Sequence, residues 1–135
     1  PNYPLTYFYA SFIDQTKGDY QEMIESLQKA YTLSGGTLPW AECGLGVAYT
    51  LAGKKDKADE VLNRLLKGKE GGYVPCFSIA NNYLFRGNMD KALEWMEKAY
   101  EQHDFLTPYL NAVPGWEVFR SHPRGKAVLK KIKLE

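Results

Sequence analysis

Between Tyr73 and Glu101, apolar and small residues recur at helical spacing on both sides of Arg86-Gly87-Asn88. Ile79, Ala80 and Tyr83 fall at i, i+1 and i+4 before this turn; Ala92, Met96 and Ala99 fall at i, i+4 and i+7 after it. Gly87 can take the positive φ that ends a helix, and Asn88 can cap the next one. Ala80 and Ala92 let two backbones approach closely. An isolated pair of short helices would leave one face unburied, so the pattern calls for neighbours.

The rest of the chain supplies them in register. Turns at Gly18, Gly53 and Gly87 are 35 and 34 residues apart. Five residues after each glycine stand Met23, Ala58 and Ala92; nine after, Leu27, Leu62 and Met96; twelve after, Ala30, Leu65 and Ala99. Seven before stand Ser11, Gly46 and Ala80, and four before, Asp14, Tyr49 and Tyr83. The spacing predicts helices over 3–16, 20–33, 39–52, 55–67, 73–86 and 89–102, in three units at 4–37, 39–72 and 73–106. Pro4, Pro39 and Pro75 are placed to open the first helices, where a missing N–H costs nothing. Gly35-Gly36 and the polar link from Lys67 to Gly72 are expected to separate the units, the latter as a mobile connection.

Residues 107–135 break the period. Pro108 and Pro114 forbid one long helix. Trp116 and Phe119 predict a short helical turn. Ser121 is expected to cap a last helix whose first turn holds Pro123 and whose apolar stripe is Gly125, Val128, Leu129 and Ile132. This segment is predicted to cover the open face of the third unit.

A period of about 34 residues built of helix, turn and helix resembles the tetratricopeptide repeat family. The residues that carry the resemblance are Gly46, Ala80, Ala58, Ala92, Ala30 and Ala99 with Tyr49 and Tyr83. The resemblance implies an all-α, right-handed superhelix of three helix-turn-helix repeats with capping helices behind it. The first unit departs most, with Met23 where the family prefers Ala and Asp14 where it prefers Tyr. The runs Asp90-Lys91-Ala92-Leu93-Glu94-Trp95, Glu97-Lys98-Ala99-Tyr100 and Pro114 to Arg124 look like the C-terminal repeats of certain bacterial multidomain signalling proteins. There such repeats follow nucleotide-cyclase, serine/threonine kinase or winged-helix domains. This implies an accessory region; the start at Pro1 rather than Met fits the expectation of a segment cut from a longer protein.

Composition narrows the classes. The chain has 135 residues, one domain by length, and 44% hydrophobic residues, enough for a core. No apolar run approaches the ~20 residues of a membrane span. A cytoplasmic setting is the expectation, or a periplasmic one if the parent protein spans a membrane. Net charge is +1, which argues against direct nucleic-acid binding. The charge is uneven: residues 107–135 hold six basic and two acidic side chains, the rest eleven and fourteen. An acidic body with a basic tail reads as a solvated or docked tail.

Candidate chemistry is thin. Cys43 and Cys76 lack a CxxC partner or neighbouring His and read as packed free thiols. His103-Asp104 falls where the last repeat helix should end, where an imidazole favours the helix dipole, and His122 reads as a surface residue. No HExxH, Walker A or GxGxxG occurs, so neither metal nor cofactor is expected, and no enzyme. The carboxylates read as solvated faces, with Glu94 and Lys98 an attractive i, i+4 pair and Glu97 and Glu101 a repulsive one. Trp95 and Trp116 read as packing rather than a ligand pocket.

Surface recognition remains. In tetratricopeptide arrays the first helix of each unit lines a concave groove at i, i+3, i+7 and i+10. Here that stripe is Leu5, Phe8, Phe12 and Gln15; then Trp40, Cys43, Val47 and Thr50; then Val74, Phe77, Asn81 and Leu84, with Tyr9, Leu51, Ser78 and Phe85 beside it. Some relatives clamp a peptide carboxylate with Lys, Arg and Asn; only Asn81 of that set is present, so no such clamp is expected. The candidate groove residues are Phe8, Phe12, Trp40, Val47, Phe77, Asn81 and Phe85. They predict a protein or peptide partner, such as an apolar helix. Two alternatives stand beside this: self-association or structural packing, in which another chain or domain fills the groove, and sensing of a small apolar ligand.

Overall fold

A computed structural model describes residues 3–71, 74–102 and 117–131. Those residues form eight helices and no strand. They are α1 (Pro4–Lys17), α2 (Tyr20–Leu33), α3 (Pro39–Leu51), α4 (Lys55–Gly71), α5 (Cys76–Phe85), α6 (Met89–Glu101), α7 (Glu117–Ser121) and α8 (Pro123–Lys131). Helices α1 and α2, α3 and α4, and α5 and α6 pack as pairs, and α3 then packs on α2 and α5 on both α3 and α4. The all-α helical repeat expected from the 34-residue period is the fold. Among the described residues no helix is long and apolar enough to cross a membrane.

The three intra-pair turns are one motif used three times. Gly18, Gly53 and Gly87 have φ of 80°, 76° and 82°. Each donates its N–H to the carbonyl three residues back, on Gln15, Thr50 and Leu84, at 3.0–3.1 Å. The next residue, Asp19, Lys54 or Asn88, donates to the carbonyl of Asp14, Tyr49 or Tyr83 at 2.8–2.9 Å, or 3.0 Å for the last. Those two bonds are the Schellman motif, which satisfies helix-end carbonyls only where a residue tolerates the left-handed conformation. Asn88 then caps α6 by accepting the N–H of Lys91 at 3.2 Å.

The expected interior is buried: Met23, Leu27, Ala30, Ala58, Leu62, Leu65, Ala80, Ala92, Met96 and Ala99. Met23, Ile24 and Leu27 of α2, Leu45, Val47, Ala48 and Tyr49 of α3, Ala58, Val61, Leu62 and Leu65 of α4 and Ile79 of α5 belong to one cluster. Cys76, Phe77 and Ala80 of α5, Leu93, Met96 and Ala99 of α6 and Phe119, Val128 and Leu129 of the C-terminal helices form a second. Trp95 packs against both, which makes it a structural residue. Where the period places Asp14 instead of Tyr, the carboxylate accepts a hydrogen bond from the Ser26 hydroxyl of α2 at 3.1 Å. A polar cross-helix bond thus replaces an aromatic contact in the first pair.

Three local expectations are corrected. The link expected to break after Lys67 is helical through Gly71. Gly68 costs the helix about 1 kcal/mol relative to Ala, but its bare Cα receives Val74: a Cβ there would lie 2.8 Å from Val74 Cγ2. Helix α5 begins at Cys76 rather than residue 73, since Pro75 (φ −58°, ψ 132°) is its N-cap and holds Val74 out of the helical region. Tyr73 lies outside the described residues. Ser121 does not cap α8; its hydroxyl donates to the Val118 carbonyl within α7. The residue between the helices, His122, does the capping, with Nδ1 accepting the Arg124 N–H at 3.2 Å.

The C-terminal helices sit on the third pair, as α8 packs against α6 and buries Gly125, Val128 and Leu129. Arg124 pairs with Glu97 of α6 at 3.0 Å, so Glu97 has a cationic partner that offsets the repulsion expected from Glu101. Glu94 and Lys98 pair at 3.7 Å, as their spacing predicts. Trp116, Ile132, His103 and Asp104 lie outside the described residues.

Candidate functional site

The first helices α1, α3 and α5 carry the candidate groove stripe, and its exposure falls along the array. In α1, Leu5 is exposed and Phe8 and Phe12 are half-buried. In α3, Trp40 and Thr50 are half-buried, but Cys43 is buried and Val47 is only 2% exposed. In α5, Val74 and Phe77 are buried, Phe77 at 5% exposure, and Asn81, Leu84 and Phe85 are half-buried. Val47 and Phe77 therefore contribute to the two core clusters and offer a partner almost no surface. Phe85 packs by one side against the first cluster. The cause is position: α3 and α5 each have a pair before them, whereas α1 heads the described array.

The structure brings together Phe8, Phe12 and Trp40. The Phe8 ring meets Phe12 edge-on at 5.1 Å between centroids and approaches Trp40 of α3 at 6.5 Å. Tyr9 joins them, 5.7 Å from Phe8 and 6.5 Å from Phe12. Such tilted and edge-on pairs add to area burial, so the rings support one another. Asn81 lies further along, on α5, with its amide N–H directed at Cys43 Sγ at 3.9 Å.

Sequence reasoning missed what lies under the stripe. Asn82 is buried between α3 and α5 and donates its side-chain N–H groups to the carbonyls of Ser78 at 2.9 Å and Cys43 at 3.2 Å. Two carbonyls on one side fix the amide orientation, because a flipped amide would set oxygen against oxygen. Its Oδ1 is thereby turned to the backbone of Gly46. The Cys43 thiol in turn donates to the Ser78 carbonyl at 3.4 Å. Burial pushes that thiol up to about 11, from 9.0 for a solvated one, so it is neutral and unreactive at neutral pH. Cys76 is also free and buried, with Sγ donating to Gln102 Oε1 at 3.2 Å. The available signal was an Asn pair in an otherwise apolar helix, with Asn82 placed to face a glycine on the previous first helix.

Helix pairs stacked in a fixed register, each joined by the same turn, define a helical-repeat protein. Residues 75–102 match the family model of the tetratricopeptide repeat. That stretch is a tetratricopeptide repeat, and the described helices build a tetratricopeptide-like array around it. Comparison with curated proteins and with solved structures gave no match.

Proposed function

We propose that this chain is a non-enzymatic protein–protein interaction module that takes an apolar peptide or amphipathic helix across α1 and α3. The observation that carries this reading is the half-buried ring set Phe8, Phe12 and Trp40, which bridges the first helices of two successive pairs. Aromatic rings already held in place contribute contact area with little further entropy loss, which is how a few residues come to dominate an interface. Asn81 supplies a polar group at the far end, and Phe85 an apolar edge. The likeness of the chain's last third to repeats of bacterial signalling proteins makes an accessory role in such a regulatory protein the setting we favour.

The test is selection of binders from a displayed library of amphipathic helices, followed by affinity measurement against Phe12→Ala/Trp40→Ala. The reading expects helical binders whose affinity falls by about tenfold or more in the double variant. Binders indifferent to both substitutions would overturn it.

A further inference from the structure

The two junctions between successive helix pairs are built differently. The third pair meets the second along two lines, because α5 packs on both α3 and α4. Polar contacts pin that junction: Asn82 donates to the Cys43 carbonyl, the Cys43 thiol donates to the Ser78 carbonyl, and Arg86 at the end of α5 pairs with Asp59 of α4. The approach to α5 is packed as well, with Val74 and Pro75 buried and Val74 set against Gly68 of α4. Rotation about either line of contact tears the other, so the second and third pairs hold as one body.

The second pair packs on the first through α3 and α2. What crosses from α1 to α3 is side chain: the Phe8 ring, 6.5 Å from Trp40. Along the α2–α3 line Gly44 presents a bare Cα to Leu27, where a Cβ would lie 2.8 Å from the leucine methyl, and Gln28 donates to the Tyr49 hydroxyl at 3.1 Å. The connection between these pairs is exposed at Gly35, Gly36 and Thr37. Gly35 and Gly36 have φ of 65° and 75°, and no atom comes within 4 Å of a Cβ built on Gly35. The hydrogen bonds of residues 34–37 run back to the carbonyls of Ala30, Tyr31, Thr32 and Ser34 at the end of α2. Helix α3 then starts afresh, with Leu38 extended (φ −98°, ψ 93°) and its carbonyl accepting from Ala41. A change of ψ at Thr37 therefore swings α3 against α2 and leaves every one of these bonds intact.

We infer that the α1–α2 pair is a hinged arm, which swings at residues 35–38 about the α2–α3 contact against a rigid body formed by the second and third pairs. Phe8 and Phe12 ride on the arm and Trp40 on the body, so the swing opens and closes the ring set. Its use as a clamp rests on the reading of those rings as a peptide site: a helix that touches both sides favours the closed arrangement and shifts the population toward it.

The test is a pulsed electron–electron distance measurement on the full chain, with spin labels on cysteines placed at exposed positions of α2, α4 and α6. Glu25→Cys/Lys91→Cys spans the hinge, and Asn63→Cys/Lys91→Cys spans the second junction alone. Cys43 and Cys76 are buried and stay unlabelled in the folded chain. The inference expects the first distance distribution to be about twice as wide as the second, or wider. It expects the first to narrow when a selected amphipathic helix, one whose binding needs Phe12 and Trp40, is added. Equal widths in the free chain overturn the inference, and so does a wide first distribution that the bound helix leaves unchanged. If no helix binds through Phe12 and Trp40, the peptide site fails, and the two widths in the free chain still decide the hinge. Should a labelled chain lose helical circular dichroism, Glu22→Cys/Glu94→Cys takes the place of the first pair and is judged by the same widths.

Discussion

Asn82 Oδ1 occupies the space in which a side chain on Gly46 would begin: a Cβ there would lie 1.9 Å from that oxygen and 3.0 Å from Val61 Cγ1. Two first helices of the array are in contact at this point, one contributing an absent side chain and the other a buried amide. Gly46→Ala would gain up to about 1 kcal/mol of helix propensity. It would lose more, about 2–3 kcal/mol, by forcing apart a packed junction and the two Asn82 hydrogen bonds. Net destabilisation is expected in urea unfolding. Asn82→Ala should also destabilise, and the double variant should be more stable than the sum of the two losses predicts, because removal of the amide makes room for the methyl. Strict additivity would mean that the two residues do not share this space.

Gly125 makes the same kind of contact at the other end, with backbone as its neighbour. A Cβ there would lie 1.9 Å from the Phe119 carbonyl oxygen, and a carbonyl in α7 cannot rotate away as a side chain can. Gly125→Ala is expected to force α8 away from α7 rather than unfold the array. Hydrogen exchange should quicken in α7 and α8 and stay unchanged in α1 to α4.

The C-terminal helices should owe their docking to apolar burial far more than to the Arg124–Glu97 pair. Both partners are nearly half exposed, so Glu97→Gln should cost under about 1 kcal/mol and matter less as salt is raised. Leu129→Ala removes a buried side chain from the second cluster and should cost about 2–4 kcal/mol. Thermal melts of the two variants at low and high salt separate these contributions.

Cys43 gives the fold a pH dependence with a definite sign. Its thiol is pushed up to about 11 in the folded chain, by burial first of all, and titrates at 9.0 when solvated. Between those values the folded chain holds a proton that the unfolded chain has released. Stability is therefore undiminished below pH 9 and falls as pH rises toward 11, by about 2–3 kcal/mol. Other groups titrate in the same range, so the measurement is the difference between wild type and Cys43→Ala, which should narrow across that window. Below pH 9, a thiol reagent should label neither Cys43 nor Cys76 until the chain unfolds.

The fold was legible because its devices are local. The Gly87 turn, the Asn88 cap and the Ala80–Ala92–Met96–Ala99 interior follow from helical periodicity and from what glycine and asparagine do at helix ends. Contacts between units were less legible. Periodicity placed Val47 and Phe77 on the groove stripe, and it could not register that neighbouring pairs would bury them while leaving Phe8, Phe12 and Trp40 half-buried. Gly68 read as a break, since propensity does not see Val74 packed against it, and Ser121 read as a cap, since a local rule could not place the helix start one residue later.

The most direct measurement is the NMR footprint of a bound amphipathic helix on the labelled chain. The account predicts shifts concentrated on the side chains of Phe8, Phe12, Trp40 and Asn81, with α2, α4 and α6 little changed. Shifts confined to α2, α4 and α6, with the Trp40 indole unmoved, would contradict it.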